Sequence, residues 1–238
     1  MEAILTQTIR ERNRILVLEK INHLGPISRA DLARATGLNK ASISEIVAEL
    51  LAESYIEETD AAKSSGGRRP IPLKLTAREF VALACDIAPH EIRLAMGYND
   101  GSLALRRTIQ LQPRRETILD ILIESISSLI RDFQERNPKN TPKLCAMTMS
   151  IYGVVSKNQI VFTPYYDLSH LQLADALFEH FGIPVYLLNE ADLAANGEWA
   201  TRGPVDNLLS LKIREGIGLG IIQQGRREHG ANGFAGEF

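Results

Sequence analysis

The sequence is poor in cysteine and aromatics and nearly balanced in charge, and each shortage closes a class of explanation. Two cysteines in 238 residues, Cys85 and Cys145, cannot supply a disulfide framework. Both stand in apolar runs, VALACDI and KLCAMTM, where small buried thiols are expected. The five histidines are scattered, and two distant cysteines do not make a close-spaced zinc site. A formal net charge of −2 gives no whole-chain attraction for nucleic acid. No apolar run reaches membrane-spanning length, and MEAILTQTIRERNRIL has charges where a secretory segment would be apolar. A cytoplasmic protein with no membrane partner is expected.

What is present is a globular composition, 45% hydrophobic and 24% charged, in a chain long enough for a small domain followed by a larger one. The first 76 residues lean cationic and the remainder anionic. RNRILVLEKINHLG carries Ile15, Leu16, Leu18, Ile21 and Leu24, an apolar set compatible with a helix that stops at Gly25-Pro26. Ser28 with Asp31 three positions on has the form of a capping box, and opens a short helix that Gly37 closes. Asn39 can cap a third helix whose Ile43, Ile46, Val47, Leu50 and Leu51 make one stripe.

Two short helices joined by a tight turn form a helix-turn-helix candidate, with the amino-terminal residues of the second facing base edges. Those are Asn39, Lys40, Ala41, Ser42, Ser44 and Glu45, all small or polar and off the apolar stripe. A generic three-helix bundle with a solvated face would look the same. The continuation separates the two readings. YIEET and IPLKLT have strand character, and the KSSGGRRP between them is basic and glycine-containing. A plain linker could read this way, but two strands with such a tip make a β-wing. Its Lys63, Arg68 and Arg69 suit phosphates or a narrow minor groove.

From residue 79 the pattern changes. EFVALACDIAPHEIRLAMGYNDGSLALRRTIQL reads as strands with a hairpin at Asn99-Asp100-Gly101. A long amphipathic helix follows, with Ile118, Ile121, Leu122, Ile126 and Leu129 on one side. Then come a strand (KLCAMTMSIYGVV), a helix (LQLADALFEHFG), a short strand (PVYLLNE) and another helix (ADLAANGEWA), an α/β alternation. In such sheets functional residues gather where strands end and helices begin, as at Asn189-Glu190 and the glycine-rich REGIGLGIIQQGRREHGANGFAGEF. Glycines at these spacings serve structural turns as readily as ligands.

The ordered stretches CDIAPHEI, LLNEADLAANGEWA, GIGLGIIQQG and GANGFAGEF resemble the signatures of the ROK family, which contains bacterial sugar-responsive repressors and sugar kinases. The resemblance implies a winged helix-turn-helix, mostly α with a β-wing, over 1–76. It implies an incomplete α/β actin-like, ribonuclease H-like sugar-kinase lobe over 79–238. It assigns Asn189, Glu190, Glu237 and, by a looser match, Asp167 to a sugar effector. It implies operator DNA as partner and a homodimer or homotetramer. It also implies a carboxy-terminal truncation, since the family's Gly-His, second lobe and zinc-holding cysteines would follow Phe238. On that reading this chain carries no cofactor, and a structural zinc belongs to a full-length form.

Three departures from the kinase pattern point to a regulator. The first phosphate loop has Ala88, Pro89 and His90 after Asp86-Ile87, losing an amide donor and close backbone approach. The second has Arg214 and Glu215 before Gly216, and Glu190 stands where the kinase carries its catalytic Asp. The expected function is a DNA-binding transcriptional regulator of carbohydrate genes, most readily a repressor and not an enzyme. The alternatives are a sugar kinase with a DNA-binding appendage, or a DNA-binding remnant that no longer senses sugar. If the wing is real, replacing Arg68 and Arg69 together by alanine weakens DNA binding and lowers the slope of log affinity against log salt by about 1 for each phosphate no longer neutralised, measured by mobility shift across a salt series.

Overall fold

A computed structural model describes residues 2–59, 71–139, 141–202, 205–213, 216–230 and 234–236, with side chains from Thr8 onward. The chain divides into two compact units, Met1–Glu79 and Phe80–Phe238. The first contains α1 (Glu2–Leu24), β1 (Ile27–Ser28), α2 (Arg29–Thr36), α3 (Lys40–Ala52), β2 (Ile56–Glu58) and β3 (Pro72–Leu75). Local chemistry explains the helix ends. Ser28 Oγ accepts from the Asp31 amide at 3.2 Å and donates to the Asp31 carboxylate at 2.7 Å. Gly37 ends α2 in the left-handed region at φ 73°, its N–H on the Ala33 carbonyl. Asn39 Oδ1 accepts from the Ser42 amide at 2.9 Å and starts α3.

The core of this unit joins Val17 and Ile21 of α1 to Leu32, Ile43, Ile46, Val47, Leu50, Ile56 and Leu73. Ile15 and Leu24, placed on the α1 stripe by sequence, are instead 57% and 50% exposed. The covered stripe runs through positions 17 and 21, one helical turn apart; Ile15 falls on the opposite side of the helix, whereas Leu24, seven residues after Val17, keeps the side of the stripe and is exposed as the last residue of α1. The strand β1, too short to leave a sequence signal, pairs with β3, which pairs with β2, all antiparallel. Beyond Glu58 the Thr59 N–H still reaches the Pro72 carbonyl at 2.9 Å, so the connection between β2 and β3 is tied at its base. Its tip residues Lys63, Arg68 and Arg69 lie outside the described residues.

The second unit opens with an antiparallel meander, β4 (Phe80–Ile87), β5 (Glu91–Tyr98) and β6 (Leu103–Gln110). The α4 helix (Ile118–Arg136) leads to β7 (Lys143–Ile151), which lies parallel to β4. A hairpin of β8 (Val154–Ser156) and β9 (Gln159–Phe162), then α5 (Leu173–Phe181), lead to β10 (Val185–Asn189), parallel to β7. The sheet order is β10-β7-β4-β5-β6. On its covered face Leu83, Cys85, Ile87, Ile92, Leu94, Met96, Met147 and Met149 pack with Ile118, Leu122, Ile126, Leu129 and Phe133 of α4 and Leu173 and Leu177 of α5. Burial, with the Asp86 charge adding to it, pushes the Cys85 thiol up, which makes it an inert core group.

Cys145 departs from the buried reading and is exposed. Val81 pairs with Leu144 and Ala82 with Ala146, so Cys145 is the extra residue of a β-bulge and loses its place in the alternation. The free edge of β10 is partly closed by Asn158, whose side chain donates to the Val185 carbonyl at 2.9 Å and accepts from the Leu187 amide at 2.7 Å.

The chain continues through α6 (Glu190–Arg202) into a second antiparallel sheet of β11 (Leu208–Ile213), β12 (Ile217–Gln223) and β13 (Arg226–Arg227), in that order. The α6 helix lies on β11 and β12. Gly220 makes that approach possible, since a Cβ there would stand 2.3 Å from the Ala191 carbonyl oxygen and 2.5 Å from Ala195 Cβ. Among the described residues no helix is long and apolar enough to cross a membrane. Gly220→Ala should force α6 off the sheet and lower the unfolding free energy by about 1–3 kcal/mol, the usual cost of overpacking, in chemical denaturation.

Candidate functional site

In the first unit, the two caps fix what α3 can present. Asn39, Lys40, Ala41 and Ser44 are exposed and Ser42 is half-buried, while Ile43, Ile46, Val47 and Leu50 are held in the core. The Asn39 side-chain oxygen is engaged as a cap, and the Ser44 hydroxyl donates to the Lys40 carbonyl at 2.9 Å. Glu45 is tied to Arg10 of α1 at 3.2 Å, and Arg10 also pairs with Glu49. Arg14 Nη1 donates to Glu53 at 2.8 Å. Three acidic side chains of α3 and its carboxy-terminal cap are thereby matched by arginines of α1.

In the second unit, β10 passes into α6 with no residue between Asn189 and Glu190. Asn189 is the hinge of this junction. Its Oδ1 accepts from the amides of Ala191 at 2.7 Å and Asp192 at 3.3 Å, and its Nδ2 donates to the Gly153 carbonyl at 3.0 Å. Asn189, which the resemblance assigns to a sugar effector, is thus also a helix cap and holds the loop after β7.

A cavity of about 100 Å³ opens in front of this junction, lined among others by Tyr152, Gly153, Tyr165, Asn189, Glu190, Lys212 and Gly218. Glu190 occupies the first turn of α6, where the helix dipole favours its carboxylate. Gly218 permits the close wall, because a Cβ there would lie 2.9 Å from Ala191 Cβ and 3.3 Å from Glu190 Oε1.

A chain of polar contacts runs behind this cavity. Asp86 at the end of β4 meets its cross-strand partner Arg93 at 2.5 Å. Arg93 donates to the Tyr152 hydroxyl at 3.3 Å, and Lys212 Nζ reaches the same oxygen at 3.2 Å from above the ring, 4.3 Å from its centroid. Burial works against the Arg93 charge, but Asp86, Tyr152 and Glu91 outweigh it and raise its pKa. Asp86 Oδ1 is buried with no hydrogen-bond partner among the described residues. The adjacent turn is also committed, with the Ala88 N–H on the Glu91 carbonyl at 2.9 Å and Pro89 offering no N–H. On the other side of α6, Asp192 and Arg227 pair at 3.5 Å; burial raises the pKa of the first and lowers that of the second.

Asn189 and Glu190 thus meet at one cavity. Asp167 does not line it; it is exposed, and its carboxylate accepts from the Ser169 amide at 3.2 Å in its own turn. Glu237, Arg214 and Glu215 lie outside the described residues. Sequence reasoning missed Lys212, Tyr152 and Arg93. The one legible signal was the alternation of β11, in which Lys212 falls between outward Leu211 and Ile213, 58% and 68% exposed.

The sequence profile of the ROK family matches residues 82–238. The xylose repressor of Bacillus subtilis strain 168 is 32% identical over 234 residues, 97% of this chain and 60% of that protein. The DNA-binding transcriptional dual regulator NagC of Escherichia coli K12 is 27% identical over 97% of this chain and 57% of its own length. The chain therefore spans about 60% of the length of these relatives. The crystal structure of a ROK family transcriptional regulator homologous to E. coli MLC superposes with a TM-score of 0.81 at 24% identity, over 94% of this chain and 57% of that one. A ROK family glucokinase from Streptomyces griseus, in complex with glucose and AMPPNP, superposes with a TM-score of 0.57 at 24% identity, over 66% of this chain and 49% of its own. Both likenesses show the fold.

Asn189→Ala removes the cap of α6 and the tie to Gly153 together. A loss of about 1–2 kcal/mol or slightly more is expected in denaturant unfolding, since a single cap accounts for that much.

Proposed function

The chain belongs to the ROK family, and from that premise we propose that it is a DNA-binding transcriptional repressor of carbohydrate genes whose DNA affinity is set by a sugar bound in the second unit. The observation that carries this reading is how far each likeness extends. Similarity to proteins named as repressors runs over 97% of the chain and so includes α2, the Gly37 turn and α3. The glucokinase likeness covers 66%, about the share held by residues 80–238.

In this proposal the first unit is a winged helix-turn-helix. The α3 helix enters the major groove with Lys40, Ser42 and Ser44 leading, and Asn39, whose oxygen is spent on the cap, still offers its amide N–H groups. The β2–β3 connection carries Lys63, Arg68 and Arg69 to the backbone or minor groove. Two such units in a homodimer or homotetramer would read two half-sites, and sugar binding would change their spacing. Glu190 is the first ligand group of the effector cavity, Asn189 positions it, and Glu237 and Asp167 remain candidates supported by resemblance alone.

The kinase alternative is disfavoured by specific contacts. Asp86 is held by Arg93, the Ala88 amide is spent within its own turn, and Pro89 has no amide, so the turn after β4 offers little to a phosphate. Glu190 in place of aspartate moves a would-be base by one methylene.

The test is a mobility-shift titration on DNA upstream of carbohydrate genes, with and without pentoses and hexoses. Sequence-specific binding that a sugar weakens at least several-fold is expected, with no sugar phosphate formed from ATP. Sugar-dependent phosphorylation above background, or no sequence preference in DNA binding, would overturn the reading.

A further inference from the structure

We infer that Lys212 is a ligand-reading residue of the cavity and that, with Glu190, it selects an uncharged monosaccharide over a phosphorylated one. This rests on the reading that the second unit binds a sugar.

Placement comes first. The alternation of β11 turns Lys212 to the side opposite Leu211 and Ile213, and the side chain lines the same cavity as Glu190. Its ammonium is fixed before any ligand arrives. It lies 4.3 Å from the Tyr152 ring centroid and 3.2 Å from the Tyr152 hydroxyl, and that hydroxyl is held from behind by Arg93 at 3.3 Å. A donor already held over an aromatic face loses little freedom on binding.

Charge comes second. Among the described residues, Glu190 and Lys212 are the charged side chains that line the cavity, and their formal charges cancel. A sugar hydroxyl can donate to the carboxylate and accept from the ammonium, satisfying both. A phosphate dianion gains one cation but must share the cavity with a carboxylate of like charge, which opposes binding.

Calorimetric titration of the chain with D-xylose, D-glucose, N-acetyl-D-glucosamine and glucose 6-phosphate tests this, alongside the variants Lys212→Met, Lys212→Arg and Tyr152→Phe. The best neutral sugar should bind at least about 10-fold more tightly than glucose 6-phosphate. Lys212→Met, which keeps most of the packing, should weaken that sugar about 10–100-fold, the range for a hydrogen bond to a charged group. Lys212→Arg should recover part of the loss, and Tyr152→Phe should cost a few-fold by freeing the ammonium. Thermal melts matching the wild type establish that each variant is folded. Wild-type affinity in Lys212→Met, or tighter binding of glucose 6-phosphate than of glucose, would sink this inference alone. No binding of any sugar by the wild type would remove the effector reading and this inference with it.

Discussion

The second unit depends on a junction with no slack. Because β10 ends at Asn189 and α6 begins at Glu190, the first turn of the helix must stand directly beyond the strand. Its free amides need a partner there, and Asn189 supplies one oxygen to two of them. The same side chain grips the Gly153 carbonyl, so one residue fixes the helix start and the facing loop. The carboxylate of Glu190 is positioned as a consequence, on an element whose dipole favours it. A site built on a strand end and a helix start is held more firmly than one on a loop.

That junction in turn constrains the second sheet. The α6 helix can lie against β12 only where side chains are missing, at Gly218 and Gly220, and this brings β11 and its Lys212 to the cavity. Asp86, Arg93, Tyr152 and Lys212 then form a continuous set of polar contacts from the end of β4 to the start of the second sheet. Each is partly shielded, so none is free to change partner without loss. The Asp86–Arg93 ion pair is the charged group beside the β4–β5 turn in that set.

The first unit solves a different problem with little material. Among the described residues its core is ten buried side chains, and its helix ends are secured by Ser28, Gly37 and Asn39. The arginines of α1 matter less for stability, since exposed pairs contribute at most about 1 kcal/mol each. Their effect is on the field. Arg10 and Arg14 offset Glu45, Glu49 and Glu53, which would otherwise leave α3 and its cap strongly negative. A helix proposed to approach phosphates needs that correction.

Features set by neighbours a few residues apart could be read from the chain alone. The caps at Ser28 and Asn39, the stop at Gly37, the Asn99-Asp100-Gly101 turn and the apolar side of α4 were all legible, because each obeys a rule that reaches no further than a turn or two. The main alternation of strands and helices from β4 to α6 followed from the same periodicities, while the β8–β9 hairpin and the sheet of β11, β12 and β13 were not read from them. Which of several permitted partners each side chain takes was settled only when the elements packed. Packing set Val17 rather than Ile15 in the core, placed Cys145 in a bulge, and gave β1 a partner in β3, on the far side of α2, α3 and β2. It made Asn189 a cap and Lys212 a cavity residue. Those outcomes depend on which elements meet, and the free energy that selects them lies in burial and pairing between segments far apart in the chain.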